Sequence, residues 1–221
     1  MATRVLVCDE LPIIREGMRT ALTAESGIEV VGTTDSGIEA LIMARRLHPD
    51  VIITDAPLSG LSGIELTRRL SHEPLRPTPK VLVFTSRDDD VKIMNFLEAG
   101  ATGLVVKETG TEEVAAAIRV VAAGGAMLAP CVARKLLDWF FRREARPGGE
   151  VNVAASSLSA REREVLALVA RGMSGMEIAK ELQITEATAR THIYRIRRKL
   201  DLRNRAQLVA FAYRFGLAPA A

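Results

Sequence analysis

A chain of 221 residues, 48% apolar and 26% charged, suits a soluble globular protein with room for two small cores, and excludes a disordered or fibrous one. No apolar run reaches a membrane span, the opening MATRVLVCDE has no signal-peptide shape, and Cys8 and Cys131 form no CxxC pair; a cytoplasmic protein without disulfide framework, zinc site or membrane partner is expected. Residues 1–130 carry 13 Lys+Arg against 18 Asp+Glu, a balance of −5, whereas residues 131–221 carry 17 against 9, a balance of +8, so nucleic acid is expected to meet the back half alone.

In chain order, short runs rich in Val and Ile at 4–8, 28–32, 51–54, 81–85 and 103–106 predict five strands. Helical patterns at 12–24, 36–47, 62–70, 90–99 and 111–123 alternate with them. Ser36 with Glu39, and Ser62 with Glu65, have capping-box spacing, and Gly100 stands where a helix should stop. Alternation of this kind predicts a doubly wound α/β fold with a five-stranded parallel sheet. Such sheets place ligands at the carboxyl ends of their strands. Those ends carry Asp9 and Glu10, Asp55, Thr85 with Ser86, and Lys107. Clustered carboxylates repel one another unless a cation joins them, and oxygen ligands favour Mg2+. A lysine and hydroxyls beside them suit an added phosphoryl group. A magnesium-dependent phosphotransfer enzyme would use the same rim, but no substrate-pocket motif accompanies it, and an enzyme leaves the basic half without a purpose.

With VLVCDE, PDVIITD, VLVFTS and GATGLVVK in place, residues 1–124 resemble the receiver domain of two-component response regulators. The resemblance implies that Asp55 is the phosphoacceptor. It implies that Glu10 and Asp55 bind magnesium directly, with Asp9 helping through water and the Pro57 backbone carbonyl completing the protein ligands. Thr85 and Lys107 would hold the phosphoryl oxygens. The sequence departs from the family after Asp55, where it reads Ala56-Pro57-Leu58-Ser59-Gly60, and at the polar Thr54. It departs again at Leu104, where receivers usually carry a Tyr or Phe whose rotation reports phosphorylation.

Beyond Gly124-Gly125, residues 130–143 predict a helix with a broad apolar surface, and 144–157 have linker composition. The expected division is therefore 1–124, a linker with a helix at 125–157, and a second domain at 158–221. That second domain reads as four helices. Ser159 with Glu162, and Ser174 with Glu177, are capping boxes opening the first two. Only Gln183 and Ile184 separate the second helix from the third, 185–200, which Thr185 caps. In this third helix Ala189, Ile193, Ile196 and Leu200 make an apolar stripe, and Arg190, Thr191, Tyr194, Arg195, Arg197 and Arg198 are expected on the outside. A basic helix after a tight turn fits the major groove as a helix-turn-helix, against the plainer reading of a solvated charged face. The final amphipathic helix is 205–215.

Residues 158–217 resemble the LuxR-type DNA-binding domain through LSAREREVLALVARGMS and EIAKELQITEATARTHIYRIRRKLDLRNRAQLVAFA. Carried over by position, Arg190 and Thr191 read bases with Tyr194 on the same face, and Thr188, His192, Arg198 and Arg205 contact the DNA backbone. His192 has a second reading as a packed, hydrogen-bonded histidine. Together the two resemblances imply a NarL/FixJ-type regulator that is not an enzyme and binds promoter DNA as a dimer. Its implied partners are a sensor histidine kinase, a second copy of the chain and RNA polymerase. A rival reading keeps DNA binding and drops the phosphate, leaving control to a ligand or a protein partner.

Overall fold

The computed structural model describes residues 2–72, 78–86, 90–128, 157–202, 204–214 and 217. They divide into two units, one holding residues 2–122 and 126–128 and the other residues 123–125 with those described within 157–217. The helix expected over 130–143 and nearly all of the expected linker lie outside the described residues, as does Cys131.

In the first unit, strands β1 (Thr3–Cys8), β2 (Ile28–Thr34), β3 (Val51–Thr54), β4 (Lys80–Thr85), β5 (Gly103–Val106) and β6 (Met127–Leu128) form one parallel sheet in the order β2-β1-β3-β4-β5-β6. Helices α1 (Pro12–Thr23), α2 (Gly37–Leu47), α3 (Gly63–His72), α4 (Asp90–Ala99) and α5 (Thr111–Ala122) alternate with the strands. Six strands replace the five expected. The sixth pairs Gly103 with Met127 and Leu104 with Leu128, beyond residue 124. Two residues are too few to show a period of two, and they become a strand only because the chain returns from α5 along the open edge of β5.

Alternation along the strands fills both faces. Val5, Val7 and Ile53 pack with Leu22 of α1 and Ile118 of α5 in one core. Leu6 and Ile52, fully buried, point to the opposite face, where α2, α3 and α4 lie side by side. Both capping boxes expected here close only halfway. Ser36 accepts from the Glu39 N–H at 3.4 Å, but the Glu39 carboxylate takes the Thr34 hydroxyl at 2.6 Å. Ser62 accepts from the Glu65 N–H at 3.3 Å, while the Glu65 carboxylate pairs with Arg68 and Arg69.

The second unit holds helices α6 (Ala160–Ala170), α7 (Gly175–Glu181), α8 (Glu186–Lys199) and α9 (Arg205–Arg214). Val165, Leu166, Ile178, Ala189, Ile196 and Leu208 meet in its core, with Ile193 and Leu200 packed against them. Here both capping boxes are complete, at Ser159 with Glu162 and at Ser174 with Glu177. The turn between α7 and α8 is made by Gln183 in the left-handed region, φ 52°, and by the Ile184 N–H donating to the Ala179 carbonyl at 2.9 Å. Thr185 then caps α8 by accepting from the Thr188 N–H at 3.1 Å. A short helix, a tight turn and a longer basic helix are thereby fixed as expected.

Candidate functional site

The parallel sheet delivers the ends of β1, β3, β4 and β5 to one rim. Asp9 follows β1 and is 2% exposed; Asp55 follows β3 and is 5% exposed. Two carboxylates at that depth need a cationic partner. Lys107, after β5, supplies it: its ammonium lies 2.8 Å from Asp9 Oδ2 and 2.5 Å from Asp55 Oδ2. The other oxygens are also satisfied. Asp9 Oδ1 accepts from the Leu11 N–H at 2.9 Å, and Asp55 Oδ1 from the Ala56 N–H at 2.6 Å. Burial works to lower the Lys107 pKa, but hydrogen bonds and charge from Asp55 and Asp9 outweigh it and hold the ammonium above the ordinary lysine value. The Phe84 ring lies beneath, its centroid 6.0 Å from Nζ, where a cation meets the aromatic face.

Thr85 is buried at the end of β4, and its carbonyl accepts from the Lys107 N–H at 2.9 Å. Behind Asp55, Gly63 at the start of α3 comes so close that a Cβ would sit 1.8 Å from the Asp55 carbonyl oxygen, so only glycine permits this approach. Leu104 is fully buried in the core. Glu10 and Pro57 are exposed beside the buried pair. Among the described residues, no three Asp, Glu, His or Cys side chains converge closely enough to hold a metal by themselves. The oxygen set nonetheless fits magnesium, which takes one or two carboxylates, keeps several waters and meets phosphate oxygens. The buried carboxylates already hold one cationic group, so the rim is built for positive charge. Cys8, buried just before Asp9, is no nucleophile: burial, with the charges of Asp9 and Glu39 adding, pushes its thiol far up.

In the second unit the outward face of α8 carries Arg190, Thr191, Tyr194, Arg195 and Arg198, all exposed. Arg190 is held by Glu186 at 2.5 Å, one turn earlier. Thr191 Oγ1 donates to the Ala187 carbonyl at 2.8 Å, which leaves its methyl group for an apolar contact. The Thr188 hydroxyl lies 2.8 Å from the Thr185 hydroxyl, at the helix N-terminus.

Two cations, Arg205 and Arg197, differ from the sequence expectation. Arg205, expected on a DNA phosphate, is 8% exposed and donates inward to the carbonyls of Val169 and Met173. It opens α9, whose buried face turns it into the core between turns of backbone. Arg197 is half-buried and donates to the Leu202 carbonyl at 3.3 Å, so it closes the end of α8 rather than facing solvent. Lys199 donates to Glu162 Oε2 at 2.7 Å, tying the last turn of α8 to the capping box of α6. His192 matches neither reading cleanly: it is half-buried, and its Nδ1 is buried without a hydrogen-bond partner among the described residues. Sequence reasoning missed Arg15, whose guanidinium donates to the Asp9 and Glu10 carbonyls. Its only signal was its position one turn into α1 after the acidic pair.

A doubly wound parallel sheet with a carboxylate pair at its rim, on one chain with a helix-turn-helix, defines a two-part DNA-binding regulator. Residues 5–119 match the family described as response regulator receiver domain, and residues 156–212 match bacterial regulatory proteins of the luxR family. The chain is 38% identical over 211 residues to the transcriptional regulatory protein LiaR of Bacillus subtilis (strain 168), covering 96% of this chain and 97% of that one. It is 33% identical over 217 residues to the response regulator protein VraR of Staphylococcus aureus, covering 98% and 99%. Among solved structures, the response regulator ChrA of a heme-sensing two-component system aligns over 98% of both chains, with a TM-score of 0.53 and 32% identity. The chain belongs to the two-component response regulators that carry a receiver domain and a LuxR-type helix-turn-helix. That family regulates transcription by binding DNA. Among the described residues, no helix is long and apolar enough to cross a membrane.

Proposed function

We propose that this regulator is switched by phosphorylation of Asp55 and binds promoter DNA as a dimer in the cytoplasm. The observation that carries the proposal is the Asp9–Lys107–Asp55 arrangement, a buried acceptor carboxylate with a cation already against it. In the transfer, an Asp55 carboxylate oxygen forms the new P–O bond as the P–N bond of a kinase phosphohistidine breaks. Lys107 and the Thr85 hydroxyl hold the phosphoryl oxygens, and burial excludes water from the acyl phosphate. Glu10, Asp55 and the Pro57 carbonyl would hold magnesium, with Asp9 helping through water. When bound, the ion supplies charge neutralisation for the incoming phosphoryl group.

Phosphorylation adds about two negative charges and three strong acceptors at this rim. Lys107, shared between two carboxylates, is the group free to follow them. In the second unit, Arg190 has the fork that pairs with guanine O6 and N7, and the Thr191 methyl suits thymine. Thr188, Arg198 and the outward part of His192 would fix the helix on the DNA backbone, with Tyr194 beside them. Two copies then present two such helices to an inverted repeat. The test is phosphoryl labelling from a small acyl phosphate with magnesium. The parent should label and Asp55→Asn should not, with its fold intact; equal labelling of the variant would place the acceptor elsewhere.

A further inference from the structure

We propose that Arg15 is a positioning residue for the metal-binding edge of the receiver: it fixes the Asp9–Glu10 backbone and ties that loop, through Asp35, to the loop after Asp55. The proposal rests on the reading of Asp55 as a magnesium-dependent phosphoacceptor. Arg15 touches none of the expected metal ligands through their carboxylates, so its action is indirect.

Arg15 lies one turn into α1, where the Ile14 and Arg15 N–H groups both donate to the Leu11 carbonyl. From a helix, a long side chain runs back toward the N-terminus, which here is the loop holding the acidic pair. One nitrogen of its guanidinium, Nη1, donates to the Asp9 carbonyl at 2.7 Å and to the Glu10 carbonyl at 3.0 Å. The other, Nη2, lies 3.8 Å from Asp35 Oδ2, and the side chain is only 18% exposed. A planar fork can meet two successive carbonyls and a carboxylate at once; an ammonium cannot hold that geometry.

Asp35 extends the network. Its carbonyl accepts from the Ser59 N–H at 2.8 Å, and the Ser59 carbonyl accepts from the Gly37 N–H at 3.1 Å. Gly37 is required there, since a Cβ would lie 2.0 Å from the Leu61 carbonyl oxygen. Ser59 sits in the loop that carries Pro57. The loops after β1, β2 and β3, bearing Glu10, Asp35 and Pro57, are thus one hydrogen-bonded body with Arg15 as a charged link. Two of these loops carry the expected metal oxygens, so their spacing is set before any ion arrives.

Arg15 also brings positive charge near a cation site, which opposes binding. The two effects have opposite signs, and a measurement separates them. Full-length protein, Arg15→Met and Arg15→Lys are titrated with magnesium chloride by calorimetry, and their phosphoryl labelling by an acyl phosphate is followed against magnesium concentration. Loss of a partner outside the ligand shell characteristically weakens metal affinity about tenfold or more. Arg15→Met should raise the magnesium dissociation constant about tenfold, and Arg15→Lys at least threefold despite keeping the charge. Labelling rates should recover to within about twofold of the parent at saturating magnesium, as expected of lost preorganisation rather than lost chemistry.

Unchanged magnesium affinity with only a lower melting temperature would overturn the proposal and leave Arg15 a brace of α1. Tighter magnesium binding would overturn it as well, because charge would then outweigh positioning. Should Arg15→Met fail to fold, Asp35→Asn reads the same link from its other end and should weaken magnesium by a smaller factor; no weakening there, with Arg15→Lys also unchanged, overturns it. A parent protein that binds no magnesium and takes no label would instead overturn the phosphoacceptor reading itself.

Discussion

The two units treat buried charge in opposite ways. In the receiver the buried charged groups, Asp9 and Asp55 with Lys107 against them, are the candidate site, and exposed charges such as those on α3 make local pairs. In the helix-turn-helix unit the buried charges, Glu162 and Arg205, brace the fold, and the candidate DNA readers lie on the surface. The difference follows from the ligands. On the proposed function, the receiver's ligand is a small phosphoryl group whose acyl bond must be kept from water, which suits a site sunk into a rim. DNA is a large polyanion that must be met by an outward face. On that reading, burial marks function in one unit and architecture in the other.

The largest expected effect comes from breaking this contrast in the receiver. Lys107→Met leaves two buried carboxylates facing each other and should lower receiver stability by about 3 kcal/mol in denaturant unfolding without magnesium. Millimolar magnesium should restore part of that loss; no restoration would speak against a cation site at the rim. In the other unit, Arg205→Met should cost about 2 kcal/mol of stability by taking the buried donor from the Met173 carbonyl, while the Val169 carbonyl keeps the Gly172 N–H. Its DNA affinity, measured where the variant is folded, should keep the parent's salt dependence. Arg190→Ala should do the reverse: unchanged melting temperature, and affinity for a selected operator weaker by about 1–3 kcal/mol. If Arg205→Met instead lowered the salt slope by about one, Arg205 would be a phosphate contact after all.

The smallest effect concerns Glu162. Burial disfavours its charge, but hydrogen bonds from Lys199 and from the Ser159 backbone and hydroxyl prevail and hold its carboxyl below the ordinary range. A depressed carboxyl contributes stability above its unfolded pKa and loses it as pH falls through the folded value. The thermal stability of the parent should therefore fall as pH drops below about 4.5. Lys199→Met should flatten that dependence and cost about 1 kcal/mol at neutral pH, the smaller figure reflecting the part-exposed lysine.

How much of this was legible depended on whether the cause was local. Helix starts at Ser159, Ser174 and Thr185, and the two-residue turn before α8, were readable because capping and turn geometry act within four residues. The five long strands were readable from apolar runs bounded by turn residues. The sixth was not, since Met127–Leu128 pairs only because of where α5 leaves the chain. The boxes at Ser36 and Ser62 had the right spacing, yet Glu39 and Glu65 found other partners that spacing cannot reveal. Strand-end logic brought Asp9, Asp55 and Lys107 together across 98 residues, but the shared ammonium and the Phe84 ring beneath it needed the fold. Arg205 misled because a basic residue in a basic domain looks solvated until its partners are seen. Arg15 escaped notice because its partners are backbone carbonyls, which every residue has.

The central claim is that chemistry at Asp55 controls DNA binding. It is tested most directly by promoter binding and oligomeric state with and without magnesium and beryllofluoride, in the parent and in Asp55→Asn. The account predicts tighter DNA binding and a dimer in the parent alone. Unchanged DNA binding by the parent would contradict it, and would turn the receiver into an interaction domain governed by a ligand or a partner.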